Sequence, residues 1–156
     1  MYDVEGRLST LTTSAGAQSN VYDATGKLLL QIDPVKGATL YLGDTQLRKP
    51  VGSNSVSAQR IYSIAGTAFV ERSSDPAATG VVWLATDPQG TVGDQVNAAT
   101  GARAVIRLDP FGRARGSSTS AWADGRGFLN APVDAATGLI RLGCAYTTAP
   151  WAGSCR

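Results

Sequence analysis

Carboxylates that precede a glycine at a fixed interval are the residues of this chain whose types and spacing could do chemistry. Asp3 stands before Gly6, Asp23 before Gly26, Asp87 before Gly90 and Asp109 before Gly112, each as Asp-x-x-Gly. Looser versions are Asp33 to Gly37, Asn97 to Gly101 and Asp134 to Gly138. Aspartates can hold calcium, but that ion takes about six to eight oxygens, and no loop here supplies such a cluster. The chain has no histidine, which removes His-dependent triads, imidazole acid–base catalysis and His metal ligands. Lys27, Lys36 and Lys49 among many serines invite a Ser–Lys nucleophile, yet no strained elbow or activating neighbour stands at a recognisable spacing. The expectation is a chain with no catalytic residue, no metal site and no cofactor of its own.

What the spacing does support is backbone chemistry. In Asp-x-x-Gly the carboxylate accepts N–H bonds from two residues on, the middle pair tolerates most residues, and glycine takes the position of positive φ, giving a type I turn. A left-handed glycine there forms a bulge and returns the chain as a hairpin. Asp87-Pro88-Gln89-Gly90 and Asp109-Pro110-Phe111-Gly112 add a proline that presets φ. Two units carry a leading tyrosine: Tyr2-Asp3-Val4-Glu5-Gly6-Arg7-Leu8 and Tyr22-Asp23-Ala24-Thr25-Gly26-Lys27-Leu28. A weakened copy, Tyr62-Ser63-Ile64-Ala65-Gly66, fits a period of roughly 20 residues with one repeat degraded.

Short runs of β-branched, aromatic and leucine residues lie between these reversals and read as antiparallel strands. They are Leu8 to Thr13, Ser19 to Tyr22, Lys27 to Ile32, Ala38 to Leu42, Thr45 to Arg48, Ser57 to Ile64 and Thr67 to Arg72. Val81 to Thr86 reads as the strongest core strand, followed by Val92 to Val96, Arg103 to Leu108 and Leu139 to Leu142. No segment shows a capped helical stripe. The expected fold class is therefore all-β, with antiparallel β-hairpin repeats forming a curved sheet. Trp83 and Phe128 are expected in the core, and Trp122 is open to either placement. Tyr2, Tyr22, Tyr41 and Tyr62 read as spacers between hairpins with their hydroxyls at the edge, or alternatively as a sugar-stacking platform.

A chain of 156 residues is long enough for one domain. Its net charge of +2 includes no Lys/Arg cluster, which argues against nucleic-acid binding. No apolar run approaches the length of a span, so membrane insertion is not expected. Cys144 and Cys155 could close a small loop, but a pair confined to one tail says little about redox compartment.

Two later stretches carry a family resemblance: Asp109-Pro110-Phe111-Gly112-Arg113-Ala114-Arg115-Gly116, and Gly127-Phe128-Leu129-Asn130-Ala131-Pro132-Val133-Asp134-Ala135-Ala136-Thr137-Gly138-Leu139-Ile140. With the opening Tyr-Asp-x-x-Gly units, they resemble the C-terminal part of an Rhs/YD-repeat protein, including the Rhs repeat-associated core. The resemblance implies YD-repeat-like hairpins over residues 1–72, a core-like region over 73–143 and an irregular tail over 144–156. It also implies a β-ribbon coiled into a hollow shell that encloses a variable C-terminal toxin. The partners it implies are that toxin domain or the rest of the shell, with cell-surface carbohydrate as the alternative partner of a binding module. The parent would be secreted or at the cell surface, whereas this chain, lacking a signal peptide, would be cytoplasmic if expressed alone. Aspartates near the family's ending are implicated in self-cleavage. By that resemblance Asp109 with Arg113 and Arg115 could belong to a charged cluster near such a site, against the simpler reading of a turn aspartate beside solvated arginines.

The chain departs from the family after Gly143. Read from the third base of each codon from Gly143, the degenerate code permits Val-Arg-x-Tyr-Asp-x-x-Leu-Gly-Arg-Phe-Leu-Ser, with glycine forced at the Trp151 step. The tail is accordingly expected to be an out-of-frame reading of the family's usual ending, which makes Cys144 and Cys155 accidental. With Met1 abutting a Tyr-Asp unit, both ends are expected to be cuts through a larger protein.

Overall fold

A computed structural model describes residues 1–65, 67–76, 80–109, 115, 126–133, 140–142 and 145–147. Ten strands form one antiparallel sheet: β1 (Thr10–Thr13), β2 (Gly16–Tyr22), β3 (Leu28–Asp33), β4 (Gly37–Leu42), β5 (Thr45–Lys49), β6 (Ser57–Ile64), β7 (Thr67–Ser73), β8 (Gly80–Thr86), β9 (Val92–Asn97) and β10 (Arg103–Val105). Their order in space is their order in sequence, so every connection is a hairpin and the sheet ends in two edges, β1 and β10. The all-β antiparallel architecture is as the punctuation of the sequence requires. The sheet runs on across residues 72 and 73, where β7 pairs with β8. A separate two-stranded ladder joins β11 (Ile140–Leu142) to β12 (Ala145–Thr147). Among the described residues there is no helix beyond a single 3₁₀ turn at Phe128–Asn130, hence none long and apolar enough to cross a membrane.

Register departs from simple alternation at three places, always on the strand that leaves a reversal. Val21 faces Leu30 while Tyr22 faces Leu28, so Leu29 is extra. Tyr62 faces Val70 while Ser63 faces Ala68, leaving Phe69 extra. Ala85 faces Asp94 while Thr86 faces Val92, leaving Gly93 extra. Each is a one-residue bulge that adds twist to the ribbon. The repeat unit is thus a reversal plus a bulge, and the weakened copy at Tyr62 shares it.

The covered face of the sheet is unusually polar: among the described residues, as many polar or charged residues are buried as apolar ones. This face buries Gln18, Asn20, Gln46, Gln59 and Glu71, with Gln18 fully inaccessible. Its apolar part is a small cluster of Ile61, Ala68, Leu84 and Val92, with Val82, Ala104 and Ile106 packed against it. The opposite face leaves Val21, Ile32, Leu42, Tyr62, Phe69 and Trp83 exposed. Three expectations are corrected here. Trp83 is 47% exposed and not core, because alternation along β8 turns Leu84 inward and Trp83 outward. Phe128 is only half-buried, in the 3₁₀ turn beside β9. Residues 145–147, expected to be irregular, form β12, because backbone pairing with β11 needs no apolar pattern.

Candidate functional site: the reversals and the amide-lined face

Three of the aspartates expected to shape turns do so with one geometry. Asp3 Oδ1 accepts from the N–H groups of Glu5 at 3.0 Å and Arg7 at 2.8 Å. Asp23 Oδ1 accepts from the N–H groups of Thr25 at 2.8 Å and Lys27 at 2.9 Å, and from the Thr25 hydroxyl at 2.7 Å. Asp87 Oδ1 accepts from Gln89 and Thr91, both at 2.9 Å. In each unit the glycine N–H donates to the aspartate carbonyl, and that glycine has positive φ: 74° at Gly6, 82° at Gly26 and 86° at Gly90. The looser units differ by one residue. Asp33 accepts from Val35 and Lys36, Asn97 accepts from Ala99 and Thr100, and the left-handed glycines Gly37 and Gly101 come one position later.

These bonds fix the charge state of the carboxylates. The Arg7 backbone N–H and guanidinium hold Asp3 below its ordinary pKa, and burial opposes them. The Thr25 hydroxyl, then the Lys27 N–H, do the same for Asp23. Burial would raise Asp94, but its bonds from Arg103 and Arg107 outweigh that and lower it. A general acid needs the opposite shift, so Asp3 and Asp23 are built as ionised acceptors.

The first two units meet. The Arg7 guanidinium lies 4.9 Å from the centre of the Tyr22 ring, whose hydroxyl donates to the Leu8 carbonyl at 2.9 Å. Glu5, Arg7, Asp23, Thr25 and Lys27 line a cleft of about 760 Å³ that Arg126 and Pro132 also reach. Tyr2 closes the first unit by a bridge to Leu8 and is largely exposed. Asp87 and Asp109 share a second cleft of about 480 Å³ with Thr91, Arg107, Arg115 and Phe128. Asp23 therefore lines one cleft, and Asp87 and Asp109 line another. Gly112, Arg113, Trp122, Asp134, Gly138, Cys144 and Cys155 lie outside the described residues.

Sequence reasoning missed the amide ladder on the buried face. Register puts Asn20 opposite Gln31, Gln46 opposite Gln59, and Ile61 opposite Glu71. Gln18 Nε2 donates to Asn20 Oδ1 at 3.2 Å, and Asn20 Nδ2 donates to the Leu8 carbonyl at 3.0 Å. The Tyr41 hydroxyl donates to Gln31 Oε1 at 3.1 Å, Arg48 Nη2 to Gln46 Oε1 at 3.2 Å, and Gln59 Nε2 to Glu71 Oε1 at 2.6 Å. Pro132 and Val133 stand beside this ladder in a cleft of about 310 Å³ with Gln31, Tyr41, Gln46 and Arg48. At the far end, the Leu129 N–H donates to Thr91 Oγ1 at 3.0 Å. The signal was present in the sequence: β2, β3, β5, β6 and β9 each carry a glutamine.

Among the described residues no three His, Cys, Asp or Glu side chains gather as a metal site. Tyr22 and Tyr41 use their hydroxyls within the sheet, as spacers do, and Arg60 lies 5.2 Å from the Tyr62 ring centre. No protein-family model matches the chain, and no curated protein matches it.

Proposed function

We propose that this chain is a non-enzymatic wall segment of an Rhs/YD-repeat shell, from a parent that encloses and presents a C-terminal toxin. The observation that carries the reading is that ten strands follow one another in sequence order into one open sheet. Asx/Gly reversals of one chemistry make four of the nine connections, β2–β3, β3–β4, β8–β9 and β9–β10, and the two complete Asp-x-x-Gly units among them are each followed by a bulge. Such an array has no central core. Its stability comes from neighbour pairing, and its two end strands, β1 and β10, are where further hairpins would add. The work of such a part is enclosure, and its partners are the rest of the shell and the cargo. On this reading the parent acts outside the cell or at its surface.

The experiment is extension. A chain lengthened at each edge by one Tyr-Asp-x-x-Gly-Arg-Leu hairpin should gain neighbour pairing and melt at least about 5 °C higher, the equivalent of more than about 1 kcal/mol. The unextended chain should give a broad transition and self-associate with concentration. An unchanged midpoint on extension, or a sharp two-state transition from a monodisperse monomer, would overturn the wall reading. So would saturable binding on a glycan array that Tyr22→Ala abolishes, which would favour a carbohydrate-binding module.

A further inference from the structure

The outward face of β6, β7 and β8 presents an exposed apolar row and two arginines that no carboxylate among the described residues pairs, with Arg60 5.2 Å from the Tyr62 ring centre. Tyr62 faces Val70, Val70 faces Trp83, and Trp83 faces Val96. Tyr62, Phe69 and Trp83 are 44%, 48% and 47% exposed, and Phe69 and Trp83 meet edge to face at 5.7 Å. Two residues along β6 and β7 on the same face, Arg60 stands directly opposite Arg72. Like charges in that position repel. Both arginines are exposed, and neither has a carboxylate within ion-pair distance among the described residues. Elsewhere on the same sheet Asp94 pairs Arg103 of β10 and, beyond that strand, Arg107.

We infer that the outward face of β6–β8 is a docking surface for a protein segment that carries carboxylates beside large apolar side chains. The apolar row supplies desolvated area, and the Arg60/Arg72 pair supplies a fork of donors that matches carboxylates. A second copy laid face to face would set arginine against arginine, so complementarity disfavours it. An anionic bilayer would call for a polybasic cluster, whereas the chain has a net charge of only +2. The cross-strand row suits another layer of protein packed on the sheet. The inference stands on these strands alone and does not depend on the identity of the parent.

The test immobilises the full chain through its C-terminus, which prevents self-association. The probe is the synthetic peptide Trp-Glu-Leu-Glu-Phe-Glu-Leu, with its Glu-to-Lys counterpart as control. The acidic peptide should bind saturably and weaken as salt is raised, while the lysine peptide should not bind. Arg60→Glu with Arg72→Glu should weaken binding more than about tenfold, or about 1.4 kcal/mol. Arg60→Gln with Arg72→Gln should weaken it less, Trp83→Ser should also weaken it, and Lys36→Glu should leave it unchanged. Far-UV circular dichroism confirms that each variant retains its sheet. No binding by the acidic peptide, equal binding by the lysine peptide, or indifference to both arginine pairs would overturn the inference. Capture only by phosphatidylserine vesicles, or a soluble dimer that hides Trp83 from quenchers, would overturn it in favour of a bilayer or a second copy.

Discussion

Substituting Gly37 tests whether successive reversals lean on one another. Gly37 has φ +95°, and a Cβ built on it would lie 2.1 Å from the Lys49 carbonyl oxygen and 2.8 Å from both the Pro50 carbonyl carbon and the Val51 nitrogen. All of these are backbone atoms at the end of β5, where no side chain can swing away. Gly90 is the control, with φ +86° and nothing within 4 Å of its would-be Cβ. Both alanine variants carry the left-handed penalty of about 1–2 kcal/mol. Only Gly37→Ala must also displace the neighbouring chain, at about 1–3 kcal/mol more, the usual range for overpacking. In a chain of this size each kcal/mol lowers the melting midpoint by about 2–4 °C. Gly37→Ala should therefore melt about 2–12 °C below Gly90→Ala by circular dichroism. Equal midpoints would refute the claim that the β3–β4 reversal is packed against the exit of β5.

Acid should destabilise the sheet. Asp3, Asp23 and Asp94 have lowered pKa values in the fold. Their contribution is present above the unfolded carboxylate value, about 4, and is lost as pH falls through the lower folded values. The thermal midpoint should hold from pH 7 to about 5 and drop below about pH 4, less steeply in Asp23→Asn/Asp94→Asn; a midpoint that holds at pH 3 would count against this. Gln59→Leu removes the donor 2.6 Å from the buried Glu71 carboxylate and should cost about 1.5–3 kcal/mol in urea unfolding. Adding Glu71→Leu should cost less than the sum of the two single changes, and strict additivity would deny the coupling. Purified full-length chain should keep a single mass over days by mass spectrometry, with or without Asp109→Asn; cleavage that Asp109→Asn stops would point to a self-protease.

The strands and reversals were legible because their signals are local. An Asx carboxylate reaches the N–H groups two to four residues on whatever the rest of the chain does, and so Asp23 to Gly26 reads correctly from sequence alone. The strand expected over Ser57 to Ile64 has the bounds seen in the structure. The faces were not legible, because assigning large apolar residues inward fails where an amide ladder fills the covered side. Trp83 looked like core for its size, yet its strand neighbour Leu84 holds the inward position. The bulges were legible only in part: a left-handed glycine was expected to form one, but the extra residue stands three places further on, Leu29 after Gly26 and Gly93 after Gly90.

The bulges explain why the amides can stay buried. A one-residue slip in a strand exchanges its two faces. In β3 a slip would send Gln31 outward and bring Leu30 or Ile32 against Asn20. Two-residue alternation alone would tolerate that exchange, since both faces hold enough apolar surface to pack. The reversal with its bulge removes the freedom. Asp23 fixes Lys27 through its N–H, Tyr22 pairs with Leu28, and the extra Leu29 places Leu30 against Val21. Asn20 then meets Gln31, and at the same stage of its own unit Leu84 meets Gln95 across β8 and β9. Amide side chains buried without partners cost about 1–3 kcal/mol each, so a slipped register that scattered them would be penalised strand by strand. The carboxylate-and-glycine reversal therefore specifies more than a change of direction: it sets which face of the sheet is amide-lined and which is left apolar.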